Sequence, residues 1–181
     1  LSAIDAAPSA GIEQVSTEVT SSSPTSRTEL RTYRVRLDAA PGAASVSFVA
    51  RDSRGQLSPA TTVPVTIEAD DAPVLAILSP VSGASVLSGA SLPVTYSATD
   101  DLGVVSLVVR LGESSVDVPS PAATGTVNVR VPVVTTVGAH DLTVTATDST
   151  GHAVSATVSL TVRPDEPPSV LISAPPAGAT F

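Results

Sequence analysis

The sequence predicts an all-β chain folded as antiparallel β-sandwiches, and three observations carry that expectation. Apolar residues fill 42% of the 181 positions and are nearly all Val, Ala, Leu and Ile, with Thr and Ser at most polar positions, a mixture suited to pleated, half-buried strands. Sixteen prolines and eleven glycines cut the chain into short pieces that a long helix would not tolerate. Within those pieces apolar and polar residues alternate at period two, the pattern of a strand with one face on a core.

The phrase ATDSTGH (146–152) has a counterpart, ARDSRGQ (50–56), in the same kind of setting. Placing Asp52 on Asp148 is a shift of 96 residues, which also brings Val46 onto Leu142, Phe48 onto Val144, Ala50 onto Ala146 and Gly55 onto Gly151. Upstream, Tyr33, Val35 and Leu37 fall on Val129, Val131 and Val133, and Gly42 falls on Gly138. Downstream the shift becomes 95, with Pro73 on Pro168, Ile77 on Ile172, Pro80 on Pro175 and Gly83 on Gly178. A repeat of that length is a domain rather than a solenoid unit. The expected organisation is a domain lacking its first strand over 1–69, a complete domain over 72–163, and the first strand of a further domain over 167–181.

The complete copy holds seven strand candidates in order. VLAIL (74–78) is stopped by Ser79-Pro80. LPVTYSA (92–98) puts Leu92, Val94, Tyr96 and Ala98 on one face, and VVSLVVRL (104–111) faces inward through Leu107, Val109 and Leu111. A short SVDV (115–118) precedes TVNVRVPV (126–133), and HDLTVTA (140–146) with AVSATVSLTV (153–162) forms the last hairpin. Seven short strands at this spacing predict two packed antiparallel sheets.

The stretch APVLAILSPVSGASVLSGASLPVTYSATDDLGVVSLVVRLG, followed by VGAHDLTVTATDSTGHAVSATVSLTV, resembles the bacterial Ig-like domains found in tandem in large secreted and surface-attached proteins. Its opening SPxxGxxV, its TDDxGVxSLxV turn and its GxHxLTVxAxDSxG segment carry the resemblance, which covers one whole copy. It implies tandem Ig-like sandwiches serving as stalks, spacers or adhesive repeats, extracellular or at the cell surface, and not an enzyme. In the first copy SAGIEQVSTEV (9–19) is similar to the start of the third strand, with Pro8 and Ser9 where the second copy has Asp100 and Asp101.

The formal charge is −8 and all nine cations are scattered arginines, which argues against a phosphate-tracking surface and so against nucleic acid. Cysteine is absent, ruling out disulfides and thiolate metal sites. No apolar run is long enough to span a bilayer as a helix. The repeated Asp and Gly predict a turn in the last hairpin, the carboxylate bonding nearby N–H groups and the glycine supplying positive φ. The alternative is calcium. An Ig-like sandwich would gather Asp70, Asp71, Asp100, Asp101 and Asp148 at one pole as hard oxygen ligands, although no fixed loop spacing defines a site. His140 and His152 offer too few ligands for zinc, and neither a G-x-S-x-G elbow nor a Walker lysine is present. The expected partners are neighbouring Ig-like domains in the same chain, or identical subunits if 167–181 adds as a strand to the next molecule. The alternative is an adhesive or ligand-binding module recognising a host or surface ligand.

Overall fold

The structure, a computed structural model, describes all residues except Thr135, Ile172, 175–177 and 179–181. It divides into two compact units, Leu1–Asp71 and Ala72–Phe181, and every regular element is a strand. No helix among the described residues is long and apolar enough to cross a membrane.

The first unit contains β1 (Ala3–Pro8), β2 (Ile12–Ser22), β3 (Arg27–Val35), β4 (Gly42–Arg51) and β5 (Thr61–Ile67). The second contains β6 (Val74–Ser79), β7 (Ser85–Leu87), β8 (Ser91–Thr99), β9 (Val104–Leu111), β10 (Ser114–Pro119), β11 (Thr124–Arg130), β12 (Gly138–Asp148) and β13 (Ala153–Arg163).

The second unit is an Ig-like sandwich of a three-stranded sheet, β11-β8-β6, and a five-stranded sheet, β10-β9-β12-β13-β7. All seven expected strands are there, with an eighth that the sequence did not announce. After β6 a cis Ser79–Pro80 bond and Gly83, at φ +81°, lead the chain to the opposite sheet, where β7 pairs parallel with the end of β13. The fifth strand also ends three residues early. Pro132 has no N–H for a ladder, so Val131 stays buried while Val133 is 79% exposed.

Between the sheets lie Val94, Tyr96 and Ala98 of β8, Leu107, Val109 and Leu111 of β9, Leu142, Val144 and Ala146 of β12, and Leu160 and Val162 of β13, none more than 3% exposed. Each such aliphatic side chain contributes roughly 1.5–3 kcal/mol relative to exposure. The outer faces carry hydroxyl pairs instead: Thr143 with Thr157 at 3.1 Å, Thr145 with Ser155 at 2.7 Å, and Thr95 with Thr126 at 3.1 Å.

The strand registers of the two units follow the same shifts. Gly42 pairs with Ile67 and Phe48 with Thr61, as Gly138 pairs with Val162 and Val144 with Ala156, so β4–β5 and β12–β13 superpose under the shifts of 96 and 95. The same register corrects the reading of 9–19. Pro8 pairs with Val46 and Ala3 with Arg51, as Leu111 pairs with Leu142 and Ser106 with Thr147. Ala3–Pro8 therefore occupies the third-strand position, not 9–19, and the comparison of Pro8 and Ser9 with Asp100 and Asp101 does not hold.

The first unit thus displays strands three to seven in two sheets, β1-β4-β5 and β2-β3. Both of the first two strand positions are unfilled among its described residues, where the sequence led us to expect only the first. Its fourth strand has also changed sheets: β2 pairs with β3, whereas β10 forms a hairpin with β9. The core is correspondingly small. It comprises Ile12, Val46 and Ile67, flanked by Ala6, Tyr33, Ala39, Ala44 and Phe48, with Tyr33 and Phe48 edge to face at 6.4 Å. Val35 is 51% exposed where its counterpart Val131 is buried, while Leu37, at 65%, is exposed as its counterpart Val133 is.

The expected first strand at 167–181 includes residues outside the described set, and none of the described residues there belongs to a sheet.

Candidate functional site

The last hairpin of the second unit is built around one carboxylate. Asp148 ends β12, is 2% exposed, and its Oδ1 accepts the N–H groups of Thr150 at 2.8 Å, Gly151 at 2.7 Å and His152 at 2.9 Å, together with the Thr150 hydroxyl at 2.9 Å. Its own N–H donates to the His152 carbonyl at 3.1 Å, and Gly151 closes the turn at φ +100°. Burial pushes the Asp148 carboxyl upward, but the hydrogen bonds from Thr150, Gly151 and His152 outweigh it, leaving the group below the usual carboxylate range.

The first unit repeats this geometry in more open surroundings. Asp52 Oδ1 accepts from the N–H groups of Arg54 and Gln56, both at 2.8 Å, its N–H donates to Gln56, and Gly55 sits at φ +83°. One polar phrase is written twice because it makes one turn twice.

Asp148 also lies opposite Val104 across the β9–β12 ladder, which brings the hairpin to the loop leaving β8. In that loop Asp100 Oδ2 accepts the Leu102 N–H at 3.0 Å, while Asp100 Oδ1 is buried without a hydrogen-bond donor. The exposed Asp101 offers a carboxylate oxygen within 4.8 Å of that of Asp100. Of the expected calcium ligands, Asp100, Asp101 and Asp148 therefore share one end of the second unit. Asp70, half-buried, and Asp71, exposed, close the first unit after β5.

Sequence reasoning weighed His152 only as a zinc ligand and missed its contact with Asp148, whose Oδ2 lies 3.2 Å from the imidazole Nδ1. The signal was its position four residues after Asp148, which a tight turn folds back onto the carboxylate. His140 is half-buried on the same face of β12 as Leu142, at the far end of the strand from Asp148, and takes no part. Chemically this end offers buried carboxylate oxygen, Asp100 Oδ1 and Asp148 Oδ2, with one imidazole nitrogen beside it. Oxygen donors of this kind suit a hard divalent cation such as Ca²⁺.

No family model and no curated protein sequence matches the chain. Among solved structures it is similar to the fibronectin(III)-like modules of CbhA from Clostridium thermocellum, at 17% identity over 89% of this chain and 86% of that one, with a TM-score of 0.47. It is also similar to SGBP-B of the Bacteroides ovatus mixed-linkage glucan utilization locus, solved with a mixed-linkage heptasaccharide, at 16% identity over 84% of this chain and a TM-score of 0.26. This chain spans only 37% of that protein. A chimeric titin tandem carrying an exogenous peptide from fibronectin aligns at 12% identity over 91% of this chain and 92% of its own, with a TM-score of 0.31.

Proposed function

We propose that this chain is a non-catalytic structural segment of an extracellular bacterial Ig-like repeat array, working as a stalk or spacer. The observation that carries the reading is the coincident register of β4–β5 and β12–β13: one module is written twice, each copy with its own core. Six residues that include Pro73 join Ile67 to Val74, a connection short enough to restrict the angle between modules. Single-molecule stretching tests this. A spacer of separate sandwiches unfolds in separate events, the larger releasing about 3.3–3.6 Å for each residue of the second unit; a single event for the whole chain would refute it.

A ligand-binding module is the alternative. Tyr96 is buried and Tyr33 packs on Phe48, so these rings are engaged in cores instead of forming a flat stacking platform for sugars. Saturable binding in a glycan or host-protein screen would favour the alternative. The fibre reading, with 167–181 donated to another molecule, meets a requirement set by the second unit: its first strand pairs with its second, β6 with β8. A donated first strand would need such a partner in the acceptor. Removing 167–181 and measuring assembled size tests donation; polymers of unchanged size would eliminate it.

A further inference from the structure

The chain enters and leaves the strands of the second unit at opposite ends. Val74, which opens β6, pairs with Thr99 at the end of β8, beside the loop that leads to Val104, and Val104 faces Asp148 across the β9–β12 ladder. Arg163 closes β13 at the other end, just past the Gly138↔Val162 pair. Tension carried along a spacer therefore draws Val74 and Arg163 apart, along the strand axes. At Arg163 it acts on the end of a strand.

Residues 87–90 hold that end. β7 runs parallel to the last residues of β13, from Ser85↔Thr161 to Leu87↔Arg163, and one residue further the Ser88 N–H donates to the Arg163 carbonyl at 2.8 Å. The Ala90 N–H donates to the Leu87 carbonyl at 3.2 Å and Gly89 takes φ +70°, so these four residues make a tight turn. Its far side belongs to the other sheet. There the Ala90 carbonyl accepts the Val131 N–H at 2.9 Å, which extends the β8–β11 ladder by one step. One turn thus grips the ends of both sheets.

The Ser88 side chain adds a third hold. Its hydroxyl accepts the Val134 N–H at 2.9 Å and donates to the Pro132 carbonyl at 3.4 Å. The connection from β11 to β12, which includes Pro132 and Val134, passes from one sheet to the other. Pro132 has already ended the ladder of β11, so the half-buried serine supplies the Val134 N–H with the acceptor that a strand no longer offers.

The direction of pull decides how such bonds fail. Parallel strands drawn apart along their axes share the load over all their hydrogen bonds at once, whereas a strand peeled from its end gives them up singly. β7 has only three residues, so its own ladder is short. Ser88 lengthens that ladder and fastens it to a connection that neither β7 nor β13 reaches.

We propose that the turn 87–90 is a mechanical clasp where the chain leaves the second unit, with the Ser88 hydroxyl as its latch, passing tension on Arg163 into both sheets and the connection between them. The inference rests on the spacer reading and names the residue through which that spacer bears load.

The test holds the full chain by its ends at constant force and compares it with Ser88→Ala, once melting has shown that the second unit of the variant is folded. Loss of both hydroxyl bonds should speed unfolding of the second unit under load by about tenfold. Thr126→Val removes a hydroxyl bond of 3.1 Å to Thr95, away from the clasp, and should leave that rate unchanged. A second geometry pulls through Leu102→Cys and Ala122→Cys, on exposed loops of a chain with no other cysteine. This pull draws out β9 and β10 and leaves Arg163 unloaded, so Ser88→Ala should there have no effect. An unchanged rate in the first geometry overturns the clasp. Equal acceleration in both geometries, or by Thr126→Val as much as by Ser88→Ala, reduces Ser88 to an ordinary stabilising contact and overturns it too. In each of these failures the two units still unfold in separate events; release of the whole chain in one event would instead overturn the spacer reading, and the clasp with it.

Discussion

Truncating the aliphatic side chain at a core position that the repeat makes equivalent, once in each copy, separates the two units. Leu142 lies at the centre of the second core, fully buried among side chains of β8, β9 and β13. Leu142→Ala removes buried carbon that the surrounding sheets cannot fully replace, which costs about 2.7–5 kcal/mol. For a domain of this size that lowers the midpoint by roughly 4–8 °C per kcal/mol, so a fall of at least about 10 °C is expected. Val46 is its counterpart, 6% exposed in a cluster of three buried residues beside an open edge. Val46→Ala loses two methyl groups where neighbours and water can close in, about 1.5 kcal/mol or less at roughly 0.8 kcal/mol for each buried carbon. Calorimetry of the full chain reads both transitions, and Tyr33 and Tyr96 supply one intrinsic reporter for each unit. Each substitution should move its own transition and leave the other within error. If Leu142→Ala lowers both midpoints together, or moves the second by only a degree or two, the assignment of separate cores is wrong.

Acid should weaken the second unit through Asp148. Its carboxyl titrates lower when folded than when unfolded, so its stabilising contribution is complete above the unfolded value and is lost as pH falls through the depressed folded one. A melting series from neutral to acid pH should show that loss, and Asp148→Asn should flatten it. Gly125→Ala places a Cβ against the Tyr96 ring and should cost about 1–3 kcal/mol by overpacking; in a Tyr96→Ala background the same substitution should cost less, and a neutral Gly125→Ala would contradict the packing. If the buried oxygens of Asp100 and Asp148 hold Ca²⁺, millimolar calcium should raise the second transition and chelator reverse it, while Asp148→Asn abolishes the response. A melting curve indifferent to both dismisses calcium.

Most of the second unit was legible because its signal is periodic. Leu107, Val109 and Leu111, or Val94, Tyr96 and Ala98, mark a buried face by alternation alone, and the hairpin turn is written in Asp148 and Gly151. What escaped notice had no period to reveal it. β7 is three residues whose place depends on pairing with the end of β13, and Val133 keeps the alternation of its strand although Pro132 has already ended it. In the first unit the failure was one of register. The acids and valines of 9–19 look like a strand entering a core, but strand position is fixed by the partner, and Pro8↔Val46 assigns the third place to the residues before them. The Asp148–His152 contact is likewise a product of the turn, which a linear reading sees only as a spacing of four.

The charged face of β3 shows why a repeat can conserve register without conserving a core. Backbone pairing in the β1-β4-β5 sheet needs only strand-forming residues, so it survives exchange of Leu142 for Val46 and of Val109 for Ala6. Interior chemistry is less forgiving. Glu29 in place of Gly125 and Arg31 in place of Val127 replace dispersion contacts with an ion cluster whose burial is tolerated only because Arg27, Arg31 and Glu29 satisfy one another. Removing Glu29 alone would leave two crowded guanidinium groups without their shared carboxylate. Glu29→Gln should therefore destabilise the first unit more than Glu18→Gln, on the exposed face of β2, in urea titrations of the full chain. Equal effects from the two substitutions would mean that the cluster is a solvated surface group and not part of the interior.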